Sequence, residues 1–297
     1  MTRNTYVLLG VLGVLVILAY LVMQKPGERS SSGESGVMLV PVDSLAVDKI
    51  EIKSSAADIV LQKKGIEWFV ESPVSYKADQ SNVATLIHDS KTLQVSNIVS
   101  SRPEKFSVFQ VDSTGTLIRM YQSGAEKASF ILGKPGSNYA ELYARKATSN
   151  DVALVTGAPL YVFSRPVKDW RDRTILSVPR EQIKEVRYQY GDTTFVLAFR
   201  DSTWTIGKDS TQIEVVNSLL SALSNIVTDD FADTVATLPV RPTAQISFAG
   251  TQLTFFYVKG KERYLVQSSS SPQWFEMESW HVNQLLLRKK DILKPHK

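Results

Sequence analysis

Val47 to Val70 reads VDKIEIKSSAADIVLQKKGIEWFV, and Ile183 to Ile206 reads IKEVRYQYGDTTFVLAFRDSTWTI. The two stretches overlay without a gap. Ile50 meets Val186, Ile52 meets Tyr188, Ile59 meets Phe195, Val60-Leu61 meets Val196-Leu197, and Trp68 meets Trp204. Each contains three short runs, the first two alternating apolar with polar residues, which is the pattern of strands with one face on a core. Turn residues at Lys64-Gly65 and Arg200-Asp201 lead into the third run. A strand trio that occurs twice predicts a chain built from two copies of one unit.

Outward from each trio the pattern changes to a helical period. Val83, Leu86, Ile87 and Leu93 share a face after a candidate N-cap at Asp79, as do Val216, Leu219, Leu220 and Leu223 after Ser210 or Thr211. Both helices run into the tetrapeptide SNIV, at Ser96–Val99 and Ser224–Val227, which adds to the argument for duplication. The remainder of each unit is strand-rich. Thr116–Tyr121 and Ala128–Leu132 flank a turn at Gly124, Gly133-Lys134-Pro135-Gly136 predicts another turn, and Tyr139–Ala144 and Val152–Val155 continue the series. In the second unit Ala244–Phe248, Leu253–Val258 and Arg263–Val266 are separated by Gly250 and Gly260, and a short helix over Trp280–Arg288 parallels Pro159–Phe163.

The N-terminus has a different character. Tyr6 to Met23, YVLLGVLGVLVILAYLVM, carries no charge, and twelve of its eighteen residues are Leu, Ile or Val. As a helix it is roughly 27 Å long, close to the ~30 Å hydrocarbon core of a bilayer. Those twelve residues contribute roughly −4 to −7 kcal/mol toward insertion. A cleaved signal peptide has a shorter apolar core and a small-x-small site. Here Gln24-Lys25-Pro26-Gly27 follows directly, which favours an uncleaved anchor. The Ser- and Gly-rich stretch Gln24–Val37 reads as a flexible tether.

The expected architecture is therefore α+β. It comprises a cytoplasmic stub (1–5), a single N-terminal transmembrane helix (6–23) and a linker (24–40), then two tandem, duplicated, mainly antiparallel β units, each carrying a helix. The units cover 41–166 and 180–290, joined by 167–179, with a basic tail at 291–297. Arg3 and the free amine before the span nearly balance Lys25 and Arg29 after it. A small stub with a large body beyond the span suits a single-pass protein of the inner membrane with its body in the periplasm.

The composition is that of a globular protein, 43% hydrophobic and 22% charged over 297 residues. There is no cysteine, which excludes disulfides, thiol nucleophiles, Cys-based zinc sites and lipoprotein acylation. The formal charge of +4 is mild. Part of the excess sits in Arg288, Lys289, Lys290, Lys294 and Lys297, which could attract phosphates or anionic lipid or form a solvated tail. Elsewhere charge is balanced, which argues against nucleic acid as a partner.

No catalytic constellation emerges. His88, His281 and His296 lie far apart without partners at ligand spacing, and no GxSxG, HExxH, GxxxxGK[ST] or GxGxxG occurs. Gly133–Gly136 resembles a phosphate loop, but its proline removes a donor and no helix follows. Asp229, Asp230 and Asp233 could meet a cation yet lack a ligand-spaced loop, so no metal or other cofactor and no small-molecule ligand are expected. Trp68, Trp204, Trp274 and Trp280 sit on apolar-patterned elements, which favours core packing over sugar stacking. The segment Lys168–Leu176, KDWRDRTIL, stands out. Trp170 offers an apolar anchor, and Arg171, Asp172 and Arg173 offer directed charge, with the arginines able to form bidentate pairs. Its position between the units suggests a clasp or an interaction site.

Val60, Leu61, Lys63 and Trp68 of the first trio, Trp170, Arg171, Asp172 and Leu176 of the connecting segment, and Val196, Leu197 and Trp204 of the second trio together resemble the DUF4340 family over roughly Val47 to Asp230. Family members often carry a Tyr-Gly-Leu-like stretch after the first helix, whereas Phe106–Val111 here reads FSVFQV without the glycine. The resemblance implies a bacterial envelope protein with one N-terminal anchor. Similar proteins are commonly encoded beside ABC-type transporter components of the gliding-motility kind, and no enzymatic activity attaches to the family. The function expected is that of a non-enzymatic accessory or scaffold protein of the envelope, partnered by the lipid bilayer and by ABC-type transporter components. The alternatives are a binding module for a surface polymer such as peptidoglycan or polysaccharide, and an unrecognised hydrolase.

Overall fold

Two hairpins show how the repeated trios fold. Asp58–Lys64 (β2) turns into Glu67–Ser72 (β3) through Gly65 and Ile66, where Gly65 alone takes a positive φ of 63°. Thr193–Arg200 (β12) turns into Thr203–Ile206 (β13) through Asp201 and Ser202, both at positive φ, 46° and 65°. These are the sign patterns of II′ and I′ turns, whose twist suits antiparallel pairing. Lys49–Lys53 (β1) precedes the first hairpin and Glu185–Tyr190 (β11) the second, so both trios form three-stranded meanders.

The computed structural model describes residues 36–138, 140–191, 193–235 and 241–294. The chain divides into two compact units, with the boundary between Arg171 and Asp172. Among the described residues no helix is long and apolar enough to cross a membrane. Residues 6–23, where the sequence places the span, lie outside them.

In the first unit Tyr76–Lys77 (β4) extends the meander and leads to a helix over Gln80–Thr92. Gln94–Ser100 (β5), Thr116–Gln122 (β6), Ala125–Pro135 (β7), Glu141–Lys146 (β8) and Val152–Thr156 (β9) complete it. The sheet order is β4-β3-β2-β1-β6-β7-β8-β9-β5, and its neighbours pair antiparallel. The inward residues Ile50, Ile52, Ile59, Leu61, Trp68 and Val70 belong to one buried cluster with Val83, Leu86 and Ile87 of the helix. Asp79 is the N-cap, its carboxylate accepting from the Asn82 N–H at 2.9 Å.

The second unit repeats this path. Thr174–Ser177 (β10) is followed by β11, β12, β13 and Asp209–Ser210 (β14), then a helix over Ile213–Ser224. Asn225–Val227 (β15), Asp230–Phe231 (β16), Ala244–Phe248 (β17), Thr251–Val258 (β18), Arg263–Ser268 (β19) and Trp274–Glu278 (β20) follow. The sheet order β14-β13-β12-β11-β17-β18-β19-β20-β16 has the topology of the first, with β10 and β15 as a separate pair. Val216, Leu219, Leu220 and Leu223 are the buried face of the helix, as the periodicity predicts.

Several boundaries differ from the sequence reading. The fold is in place by Gly36, so 36–40 is not linker: Leu39 donates to Leu93 at 2.8 Å and Val95 to Val37 at 2.9 Å, and Leu39 and Val40 are buried. The stretch 167–179 is shared between the units instead of standing apart from them. Gln212, not Ser210 or Thr211, is the N-cap of the second helix; the Thr211 hydroxyl donates to the Trp204 carbonyl at 2.8 Å. The two SNIV tetrapeptides do not correspond. Ser96 lies within β5, whereas Ser224 is the last residue of its helix, so that identity carries no structural repeat. The helix expected over Trp280–Arg288 is one turn, Ser279–Val282, and the strand before it, β20, has no counterpart in the sequence reading. The basic tail is folded at least to Ile292, which is fully buried at the end of the turn Lys289–Ile292.

Gly133 to Pro135 is strand rather than turn. A Cβ at Gly133 would stand 2.1 Å from the Phe109 carbonyl oxygen, and one at Gly115 would stand 2.3 Å from that of Gln110. Glycine is needed at both places because the Phe106–Val111 loop lies directly on the sheet. Phe106 and Phe109 pack there with Val111, Ile131 and Val152 in a second small core.

Candidate functional site

The segment singled out in the sequence is built into the fold. Pro166 leads into a single tight turn, Val167–Trp170, and Trp170 is wholly buried at its end. Its indole N–H donates to the Arg165 carbonyl at 3.3 Å, and its own carbonyl accepts from the Asp79 N–H at 2.8 Å. The end of the unit is thereby tied to the N-terminus of its helix. Asn82, in the first turn of that helix, donates to the Asp169 carbonyl at 2.7 Å and accepts from Arg165 at 2.8 Å. Arg171 is 1% exposed, bridges Ala78 through its backbone and lays its guanidinium 4.6 Å from the centre of the Tyr76 ring.

Asp172 and Arg173 open the second unit. The Asp172 carboxylate accepts from the Thr174 N–H at 3.0 Å, a local turn of the kind Asp favours. Arg173 does form a fork, but on a carbonyl: Nε and Nη2 donate to Thr228 O at 2.8 and 2.6 Å, while the Asp229 carboxylate stands 3.9 Å away. The Arg173 carbonyl accepts from Thr228 N–H at 2.8 Å. Each half of WRDR thus has structural bonds within its own unit.

The acidic cluster disperses. Asp229 accepts from the Glu278 N–H at 2.9 Å and faces His281 Nδ1 at 3.3 Å. Asp230 accepts from the Phe231 N–H, and Asp233 from the Gln273 amide. Among the described residues no group of three or more His, Asp or Glu side chains could hold a metal ion. His88 is exposed on its helix, and His296 lies outside the described residues. Of the tryptophans assigned to core packing, Trp68 is buried but Trp204 and Trp274 are half-buried, and Trp280 is 62% exposed and stacked on His281.

The sequence reading passed over the solvent face of the second sheet. Two open grooves of about 470 Å³ lie along it, one lined by Gln189, Arg241, Pro242 and Gln245, the other by Gln252, Thr254, Gln267 and the Ser268–Pro272 loop. Those four glutamines sit on four different strands, so only the sheet register brings them together.

The model of one protein family, Domain of unknown function (DUF4340), matches residues 68–245, more than half of the chain. The chain belongs to the DUF4340 family. No curated protein and no solved structure matches it. The DUF4340 match starts at Trp68 in β3 and ends at Gln245 in β17, so it runs across the unit boundary and includes Trp170–Arg173 at its middle. The hydrogen bonds above account for the Trp-Arg-Asp segment at that place in this chain. Trp170 and Arg171 close one unit, and Asp172 starts the next.

Proposed function

We propose that this DUF4340 protein is a membrane-anchored, non-enzymatic accessory or scaffold protein of the cell envelope that works with an ABC-type transport complex. The observation that carries the reading is the interval between the apolar run and the fold. The run ends at Met23 and the fold is in place by Gly36. At most residues 24–35 remain as tether, with a root-mean-square reach of roughly 17–21 Å for a Ser/Gly-rich chain. A body held that close to the bilayer meets neighbours in the same membrane at an effective concentration in the millimolar range. Weak contacts then suffice for a scaffold, and no catalytic group is needed. The neighbourhood in which similar proteins are encoded supports a transporter as that neighbour. The dispersal of Asp229, Asp230, Asp233 and His281 into bonds that hold backbone and loops supports the non-enzymatic part.

The test is fractionation followed by co-purification. The full-length protein is expected in the membrane pellet after an alkaline carbonate wash, and in mild detergent it should bring down a stoichiometric membrane partner. Trypsin added to spheroplasts should cut after Arg29, Lys25 being protected by the proline that follows it, and release the body. Full-length protein in the aqueous fraction would remove the anchor, and a chain recovered alone would remove the scaffold role.

A further inference from the structure

The second sheet carries one cross-strand row of unusual composition. On its solvent face Thr194 pairs with Gln189, Gln189 with Gln245, Gln245 with Thr254, Thr254 with Gln267, and Gln267 with Trp274. Six residues on six adjacent strands, β12-β11-β17-β18-β19-β20, therefore stand side by side. At about 4.8 Å between strands the row is roughly 24 Å long. None of the six is charged, in a chain that is 22% charged. The Gln189, Gln245 and Gln267 amides make no hydrogen bond within the described residues. Each can donate two and accept two. Trp274 ends the row, half-buried against Phe256 at 5.6 Å between ring centres.

We infer that this row is a binding site for an extended, neutral glycan chain. The argument is one of matched chemistry. Sugar hydroxyls both donate and accept, as amides and threonine hydroxyls do. An aromatic ring at the end of such a row offers an apolar surface for the hydrogen-rich face of a sugar ring, with a polar edge that stays wet. A polyanion needs a line of cations, and the row has none; Arg187 is in the neighbouring row beside Glu185, and Arg241 lines only the groove at the Gln189 end. An apolar partner needs a greasy patch, and the row is amide and hydroxyl over most of its length. The grooves at Gln189–Gln245 and at Thr254–Gln267 lie along the same line, so a ligand following it settles into two depressions. The inference does not depend on the membrane anchor.

Full-length protein, purified in a detergent without a sugar head group, is titrated calorimetrically with chitohexaose, cellohexaose and polygalacturonate. At least one neutral hexasaccharide is expected to bind, and to bind more tightly than its disaccharide, while polygalacturonate binds less well. Gln245→Ala and Gln267→Ala each remove one amide of the row and should weaken binding about fivefold, the effect of one hydrogen bond. Trp274→Ala should weaken it more than either, and Trp274→Phe should restore part of the loss. Absence of binding to both hexasaccharides overturns the assignment. So does binding that survives unchanged in the Gln245→Ala/Gln267→Ala double variant, or polygalacturonate bound as tightly as the neutral chains.

Discussion

Trp170 and Ile292 occupy the same position in their respective units. Each ends a single helical turn, Val167–Trp170 and Lys289–Ile292, and each is fully buried. Each offers its carbonyl to the N-cap of its unit's long helix at 2.8 Å, Trp170 to Asp79 and Ile292 to Gln212. The following residues, Arg171 and Leu293, bridge the residues just before those caps, Ala78 and Thr211. One closing device is used twice, with a tryptophan in one copy and an isoleucine in the other.

This equivalence makes Trp170 a structural residue. Trp170→Ala is expected to cost about 3–5 kcal/mol and Ile292→Ala about 2–5 kcal/mol. Arg173→Ala should cost about 1–2 kcal/mol, because the side chain is itself 45% exposed but its two donors serve the carbonyl of Thr228, a wholly buried residue. Urea denaturation of the purified protein checks the ranking. A Trp170→Ala protein of unchanged stability that has lost its partner would instead make the segment an interaction site.

Gln110 tests the loop that lies on the first sheet. It sits at φ 56°, in the left-handed region, at the end of the turn Phe106–Phe109. Gln110→Gly should stabilise the protein by up to about 1–2 kcal/mol, since the left-handed conformation carries a penalty of that order for residues with a Cβ. Gly133→Ala should do the reverse. Its methyl would need the space of the Phe109 carbonyl, and lifting the loop would uncover Phe106, Val111 and Ile131. Thermal melts of the two variants should move in opposite directions.

Tyr188 predicts an alkaline limit for the second unit. Burial raises its phenol well above the ordinary value near 10, and burial also raises neighbouring Tyr190. A phenol whose pKa is higher folded than unfolded holds its proton in the fold after the unfolded chain has lost it. Its contribution is complete below about pH 10 and declines as pH rises beyond that value. Circular dichroism between pH 9 and 12 should show unfolding that shifts to higher pH in Tyr188→Phe. At neutral pH the same variant should be about 1–2 kcal/mol less stable, because the Leu285 carbonyl loses the hydroxyl that donates to it at 3.1 Å.

The parts of the fold legible in the sequence are those where the pattern is local. Alternation marks the trios, and a 3.6 period marks both helices, because burial of one face dictates residue type at fixed spacing. The closing device was not legible. Lys168-Asp169 and Lys290-Asp291 are its only shared residues, and the buried anchor changes from Trp to Ile. Strand β20 escaped because WFEME is short and runs without a turn residue into Ser279–Val282, so nothing marks its end. The short identity SNIV misled for the opposite reason. It matches letters at positions that the backbone does not equate. The neutral row on the second sheet depends on pairing between distant strands, which no spacing along the chain encodes.

Asp229 separates a structural carboxylate from a catalytic or metal-binding one. Its oxygen accepts from the Glu278 N–H, so Asp229→Ala strands a backbone donor, at an expected cost of about 1–3 kcal/mol. Asp229→Asn keeps an acceptor in the same place and should recover most of that loss. A carboxylate serving as general base or metal ligand would not tolerate the amide, since the charge itself is what such roles require. Added Ca²⁺, Mg²⁺ or Zn²⁺ at millimolar concentration should leave the melting temperature of the wild type unmoved, because only a ligand that prefers the folded state raises it. A metal-dependent rise that disappears in Asp229→Asn would restore the hydrolase alternative and place its centre at this carboxylate.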